Sequence, residues 1–447
     1  MNHGDKRVCS RSLPFFIKAF LILMSILAFP PGVARSRTLR LDQALAIADG
    51  KNRNIQKAME YRNWVEGYYV EQRSAALPQV TVTSGLFRQR DESQNDYPIS
   101  MYPVQQDAVT AGVGLSQALF TWGQVGAAIR AADIYRKVAD DQLDYFRQAV
   151  ARDVSQAFYD LLLAKVMTLL AKENLELKKR HMNEAAHKRA AGTATDYDEL
   201  VARVDYENAQ PLVIRRENMI KTATEKLRFL LAEDIENLDV EGSLDTVIDV
   251  YPPYEEALEC ALDHRPELSE LRHRNNINQE LVLIYDAGDK PRLDLLGNLG
   301  WKKYYDEATD PDGLEWRAGL QITYPIFDGL RSRGKVAQAK SDGASLRIEE
   351  AKTRDGIALE VRNAVDAIQE AGEIAKALSG TVAQAEKLLS MAEQGYQLGV
   401  KTHLDVQDAQ LNLLRAKNNL AKAYRDYLVA RVTLEWVKGT IRVGDHP

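Results

Sequence analysis

From Gly123 to about residue 192, and again from Gly329 to about residue 399, apolar side chains recur at helical spacing for close to 70 residues with hardly a breaker. Leu143, Phe146, Val150, Val154, Ala157 and Leu161 mark the first stretch, and Leu378, Val382, Ala385, Leu389 and Ala392 mark the second. A helix of that length extends about 100 Å. Gly343, Gly356, Gly372 and Gly380 each weaken the second helix by about 1 kcal/mol relative to alanine and are expected bend points.

Each long stretch ends in the same punctuation. Gly192 and Gly399 sit where a helix stops, since glycine takes the left-handed backbone that closes a last turn, and Thr195 and Thr402 follow as starts for the returning helix. A shift of 207 residues superimposes the two tips, carrying Gly399 onto Gly192, Thr402 onto Thr195, Asp405 onto Asp198, Ala409 onto Ala202 and Ala416 onto Ala209. The second returning helix carries a heptad seam. Val406, Leu413, Leu420, Tyr427 and Leu434 alternate with Ala409, Ala416, Ala423 and Ala430, which predicts close antiparallel coiled-coil packing. The first copy has Tyr206, Val213, Ile220 and Leu227 with Ala202, Ala209 and Ala223; it lapses at Arg216, and Pro211 predicts a local kink. The chain is an internal duplication with two long helical hairpins.

Before each long helix the period changes to two. A short amphipathic helix, Leu41 to Ala48 and Tyr254 to Ala261, precedes Pro78 and Pro291 at a common offset of 213, and the prolines close the helical pattern. Beyond them Val80 and Val82, then Val109, Ala111, Val113 and Leu115, alternate with small or polar residues. Leu293, Leu295, Leu299 and Trp301, then Trp316, Ala318, Leu320, Ile322 and Tyr324, repeat the pattern. Alternation over about 9–11 residues suits a strand with one face to lipid and one to a lumen, although a soluble hairpin packed on one face alternates identically. The segments between the strands of each pair, Arg88 to Asp107 and Lys302 to Glu315, read as long polar loops of the kind found outside an outer membrane. Their acidic runs fit no standard calcium loop. Four strands cannot close a barrel and open edges are not tolerated in lipid, so a membrane assignment requires several copies to complete one barrel.

Composition adds a compartment. Lys6, Arg7 and Arg11 precede an apolar run from Leu13 to Phe29 and then small residues to Ser36, the order of a secretory signal peptide over residues 1–36; a retained anchor is the alternative reading. Removing residues 1–34 takes away a net +3 and moves the formal charge from −6 to −9, which gives no basic surface for nucleic acid. Cys9 leaves with that segment and Cys260 remains alone, so no internal disulfide is expected. No later segment approaches 18 consecutive apolar residues, and no spanning helix is expected after the leader.

Enzyme chemistry has no foothold. Gly329 to Lys335 matches a phosphate-binding loop for seven positions, but Val336 replaces the hydroxyl that holds magnesium and Pro325 interrupts the preceding strand. His181 and His187 are six apart and share no helical face, and His264 and His273 read as surface residues. No cofactor or metal is expected, and no nucleophile with a base is suggested by the spacing.

The opening Leu-Asp-Gln-Ala-Leu helix, Pro78 and Pro291 before the strand pairs, Ser116 to Gly123 and Thr323 to Gly329 leaving them, and the two Gly-x-x-Thr tips together resemble the TolC-type outer membrane efflux protein family over essentially the whole mature chain. The resemblance implies a mostly α fold with a membrane β-barrel, divided into a first repeat over 37–240 and a second over 241–447, and a trimer sharing a 12-stranded barrel above a periplasmic α-helical tunnel. It implies a passive conduit in the outer membrane, docked by its tips (Gly192, Thr195, Gly399, Thr402) to a periplasmic adaptor of the membrane fusion type, and through it to an inner-membrane pump of RND, ABC or MFS type. It also carries over an entrance gate onto Tyr396, Lys401, Asp405 and Asp408, with Asp198 at the equivalent position of the first tip. On physical grounds, two carboxylates about 4 Å apart repel by about 4 kcal/mol at an effective dielectric near ~20, so a ring of them binds cations or retains protons. Two readings of Asp405 and Asp408 stay open: a gate, with Lys401 or Tyr396 holding it closed, or negative charge favouring a helix start. The other function class is a soluble periplasmic coiled-coil adaptor or scaffold, against which two hairpins and four alternating strands already argue.

Overall fold

The computed structural model describes residues 37–90, 105–235, 237–249, 251–305 and 311–441. The expected signal peptide and the acidic runs 91–96 and 306–310 lie outside the described residues.

The elements follow the duplication. The first half runs β1 (Arg37–Leu39), α1 (Leu41–Lys51), α2 (Arg53–Ser74), β2 (Gln79–Arg90), β3 (Gln105–Phe120), α3 (Gln124–Ala190) and α4 (Asp196–Leu231). The second runs β4 (Leu238–Val240), α5 (Tyr254–His264), α6 (Pro266–Asp286), β5 (Arg292–Tyr305), β6 (Asp312–Thr323), α7 (Arg331–Gln397) and α8 (His403–Val437). Both long helices have 67 residues, as the uninterrupted apolar period predicted. Leaving the sheet, α3 packs against α2 and α6, and further on against α4 and α8; α7 packs first against α6 and then against α8. A short and a returning helix therefore succeed each other along each long one, and the wall stays four helices wide throughout.

Small residues set the spacing. In α8, Val406, Ala409, Ala416, Ala423, Tyr427 and Leu434 are buried; in α4, Ala202, Ala209, Val213 and Leu227 are. The predicted seam is the packing surface in both copies. α4 continues as one helix through Pro211, which is exposed, so the proline does not divide it. Two of the four α7 glycines are not weak points but contacts. A Cβ on Gly343 would sit 2.6 Å from Asn278 Oδ1, and one on Gly372 would sit 3.2 Å from Ile248 and 3.6 Å from Tyr427. α7 is continuous through all four.

α3 contains one stretch long and apolar enough to cross a bilayer by composition, contrary to the expectation from consecutive apolar residues, but 56% of it is buried inside the fold. Its side chains Val154, Ala157, Phe158 and Leu161 form the main core with Leu45 of α1, Leu227 and Leu231 of α4 and Leu428 of α8. β1 and β4 pair in parallel beside this core, and Lys165 of α3 bonds Asp239 at 2.8 Å. The duplication reaches single hydrogen bonds: Asn52, between α1 and α2, donates to Leu230 O at 2.7 Å, and Arg265, between α5 and α6, donates to Val437 O at 3.4 Å. Position 265 is 52 shifted by 213 and 437 is 230 shifted by 207, so one contact is made twice by different donors.

The four long strands form one antiparallel sheet in the order β2-β3-β5-β6. Its register places apolar residues in cross-strand rows, Val82 beside Val113 beside Leu299 beside Trp316, and Val80 beside Leu115. Val82 and Trp316 are 79% and 77% exposed, far beyond what a packed soluble hairpin leaves open. The opposite face carries Thr81, Gly112, Gly114, Asn298 and Arg317, with Lys302 paired to Glu315 at 2.6 Å. The strands are longer than the alternation indicated. β5 continues to Tyr305 and β6 starts at Asp312, so more than half of the second expected polar loop is strand, while β2 continues to Arg90 and β3 starts at Gln105, which makes both ends of the first expected loop strand. β6 ends at Thr323, before Tyr324 and Phe327. β2 and β6 are the outer strands of an open sheet.

Candidate entrance site at the helical tips

The two tips are built alike. Gly192 and Gly399 hold φ of +75° and +73°, the left-handed values that only glycine takes without strain. Backbone bonds from Gly399 N to Tyr396 O at 3.1 Å and from Val400 N to Gly395 O at 2.8 Å close the last turn of α7, and Gly192 N to Arg189 O and Thr193 N to Lys188 O, both 2.9 Å, do so for α3.

Each returning helix then begins in a reciprocal capping box. Thr402 Oγ1 accepts from Asp405 N at 3.2 Å, while Thr402 N and Oγ1 both donate to Asp405 Oδ2 at 2.8 Å. Thr195 and Asp198 repeat this at 2.9, 2.7 and 3.2 Å. These bonds, the threonine backbone N–H first, hold both carboxyls below the ordinary aspartate value. Asp405 and Asp198 thus cap the returning helices within the chain. Lys401 Nζ approaches Asp405 at 3.5 Å in the same tip. Asp408 is one turn further along α8 and exposed. Tyr396 lies against His403, ring centroids 5.8 Å apart, with Lys188 Nζ 5.7 Å from its ring.

Other groups gather here unforeseen. Arg189 bonds Asp196 at 2.6 Å and Glu199 at 2.9 Å, and Arg203 bonds Glu199 at 2.8 Å, an ion network confined to the first tip. His181 of α3 meets His403 of α8 with centroids 5.6 Å apart. His273 is likewise no surface residue: it is half-buried and bonded to Asp141 at 2.6 Å, joining α6 to α3. His264 is exposed as expected. The phosphate-loop resemblance also dissolves, because Ser332 N at the start of α7 donates to Asp328 Oδ2 at 2.8 Å, so a carboxylate stands where an anion would bind.

The sequence matches the family described as outer membrane efflux protein over residues 44–233 and 257–440, one match for each repeat. Among curated relatives, the outer membrane protein TolC of Vibrio cholerae is 22% identical over 381 residues, covering 83% of this chain and 84% of its own. The cobalt-zinc-cadmium resistance protein CzcC of Cupriavidus metallidurans is 24% identical over 403 residues, covering 90% of each. Among solved structures, the CmeC outer membrane channel of Campylobacter jejuni superimposes with a TM-score of 0.79 at 17% identity, over all of this chain and 96% of that one.

Proposed function

The chain belongs to the outer membrane efflux protein family, a family of transport channels of the outer membrane, and on that premise we propose that three copies close one 12-stranded barrel above a continuous α-helical tunnel that conducts cargo passively across periplasm and outer membrane. The observation that carries this reading is the open four-stranded sheet with one exposed apolar face. Its outer strands β2 and β6 must be paired in lipid, and copies of the same chain supply the partners. The four-helix width of each chain then gives a tunnel wall of matching size.

The tips are the entrance and the docking end. Around the Gly192–Thr195 and Gly399–Thr402 turns, Tyr197, Leu200, Leu398, Val400 and Leu404 are all more than half exposed, an apolar surface suited to a periplasmic adaptor protein, which in turn couples to an inner-membrane pump of RND, ABC or MFS type. In this reading the inner-membrane pump supplies the energy. The relative named for cobalt, zinc and cadmium resistance makes metal efflux one cargo class to test alongside drugs and secreted proteins.

In the threefold assembly Asp408 supplies the entrance with one free carboxylate per chain, while Asp405 shapes the turn that presents it. Single-channel recording in a planar bilayer tests this: a divalent cation on the tip side blocks the wild-type channel, and Asp408→Ala weakens the block by about tenfold, the equivalent of roughly 1.4 kcal/mol. Asp405→Ala is the poorer probe, because it also removes the capping partner of Thr402. Unchanged block in Asp408→Ala would remove this residue from the gate.

A further inference from the structure

Near the tips the two hairpins meet through a polar cluster that the acidic entrance does not use. The rings of His181 (α3) and His403 (α8) lie edge to face at 5.6 Å. Each Nε2 is held by a glutamine amide of α8, Gln410 at 3.2 Å from His181 and Gln407 at 3.3 Å from His403. Gln407 also donates to Asp205 of α4 at 3.2 Å, and Asp205 accepts from Lys178 of α3 at 2.9 Å. The cluster thus ties the first hairpin, α3 and α4, to the returning helix of the second. Gln410 is 7% exposed and its buried Oε1 has no hydrogen-bond partner. With the amide turned over, that oxygen accepts from a protonated Nε2, so Gln410 holds neutral His181 in either tautomer.

We propose that the His181–His403 contact is an acid-released latch between the two helical hairpins; the proposal rests on the reading of the tips as the tunnel entrance.

The surrounding charges are Lys178, Arg180 and Glu184 on α3, Asp198 and Asp205 on α4, Tyr396 on α7, Lys401 in the turn after it, and His403 and Asp405 on α8. Lys178 is answered by Asp205 and Lys401 by Asp405. Glu184 Oε2 is 3.9 Å from His181 Nδ1 but mostly exposed, so its attraction for an imidazolium is screened. Burial first, and then the facing His403, hold His181 below the ordinary histidine value of 6.5. In a parted tip the ring is solvated and takes a proton near its ordinary value, so the parted form binds more protons than the joined one. The latch is therefore fully effective above about pH 6.5 and is lost as pH falls from there through the depressed value of the joined form. Asp198 and Asp405, capped by threonines and shifted down, keep their charge across that window.

The test compares full-length wild type with His181→Gln and the double variant His181→Gln/His403→Gln, which keep polar side chains of similar reach without a titrating ring. In planar bilayers the wild-type conducting fraction rises by about threefold or more between pH 7.5 and 5, while the double variant changes little over the same range. A flat wild-type profile, or an equal rise in the double variant, overturns the latch while leaving the conduit standing. Failure of every form to make channels at any pH removes the conduit reading itself, and the latch with it.

Discussion

Leu299→Arg abolishes assembly in the outer membrane, whereas Asn298→Arg, one residue away, leaves it largely intact. Leu299 is at the middle of β5, between Val113 of β3 and Trp316 of β6 on the exposed apolar face. Arginine on a lipid-facing site near the bilayer midplane costs about 2–4 kcal/mol, and a threefold assembly incurs that cost three times, for a total of roughly 6–12 kcal/mol. Such a sum is comparable to the whole stability of an ordinary domain. Asn298 is on the opposite face, beside Arg317 in the register, where a polar lumen accepts charge. The measurement is the amount of each variant recovered from outer membranes as an assembled complex. Equal recovery of the two would mean that the apolar face does not meet lipid.

Tyr427→Ala is expected to be the most damaging single change in the helical part. Tyr427 is fully buried in the seam where its heptad neighbours are aliphatic, and its hydroxyl accepts from Asp249 N at 2.9 Å. Its ring packs beside Gly372 of α7 and in the cluster containing Val361, Ile368 and Leu434. Removing a buried aromatic side chain costs about 3–5 kcal/mol through lost burial and the cavity left behind. Tyr427→Phe keeps the ring and costs only about 1 kcal/mol, the typical net value of one hydrogen bond. Thermal unfolding of the detergent-extracted protein separates the two. If Phe proves as harmful as Ala, the hydroxyl bond that ties α8 to the segment before α5, and not ring packing against α7, is what Tyr427 contributes.

What was legible in the chain follows from which forces are local. The tips could be read because a positive φ at Gly192 and Gly399 and a capping box four residues long are encoded within a dozen residues. The long helices and the seam could be read because burial on one side of a helix imprints its own period. Strand ends could not: Lys302 to Tyr305 and Asp312 to Glu315 are paired strand, yet Lys303 faces Asp312 in register and the apolar alternation fades there. Gly343 and Gly372 look like weaknesses in the sequence because their partners, Asn278 and Ile248, approach only in the folded state. The same limit hides His181, whose neighbour His187 on the same helix faces another way. Its partner His403 is 222 residues away and arrives through the docking of one hairpin against the other.

The central claim is that this chain completes its barrel with copies of itself. Native mass measurement of the protein extracted by detergent from outer membranes tests it most directly. The account predicts a particle holding three chains and nothing smaller in the water-soluble fraction. A single chain, or an assembly found in the soluble fraction, would contradict it and leave the sheet as part of a periplasmic scaffold.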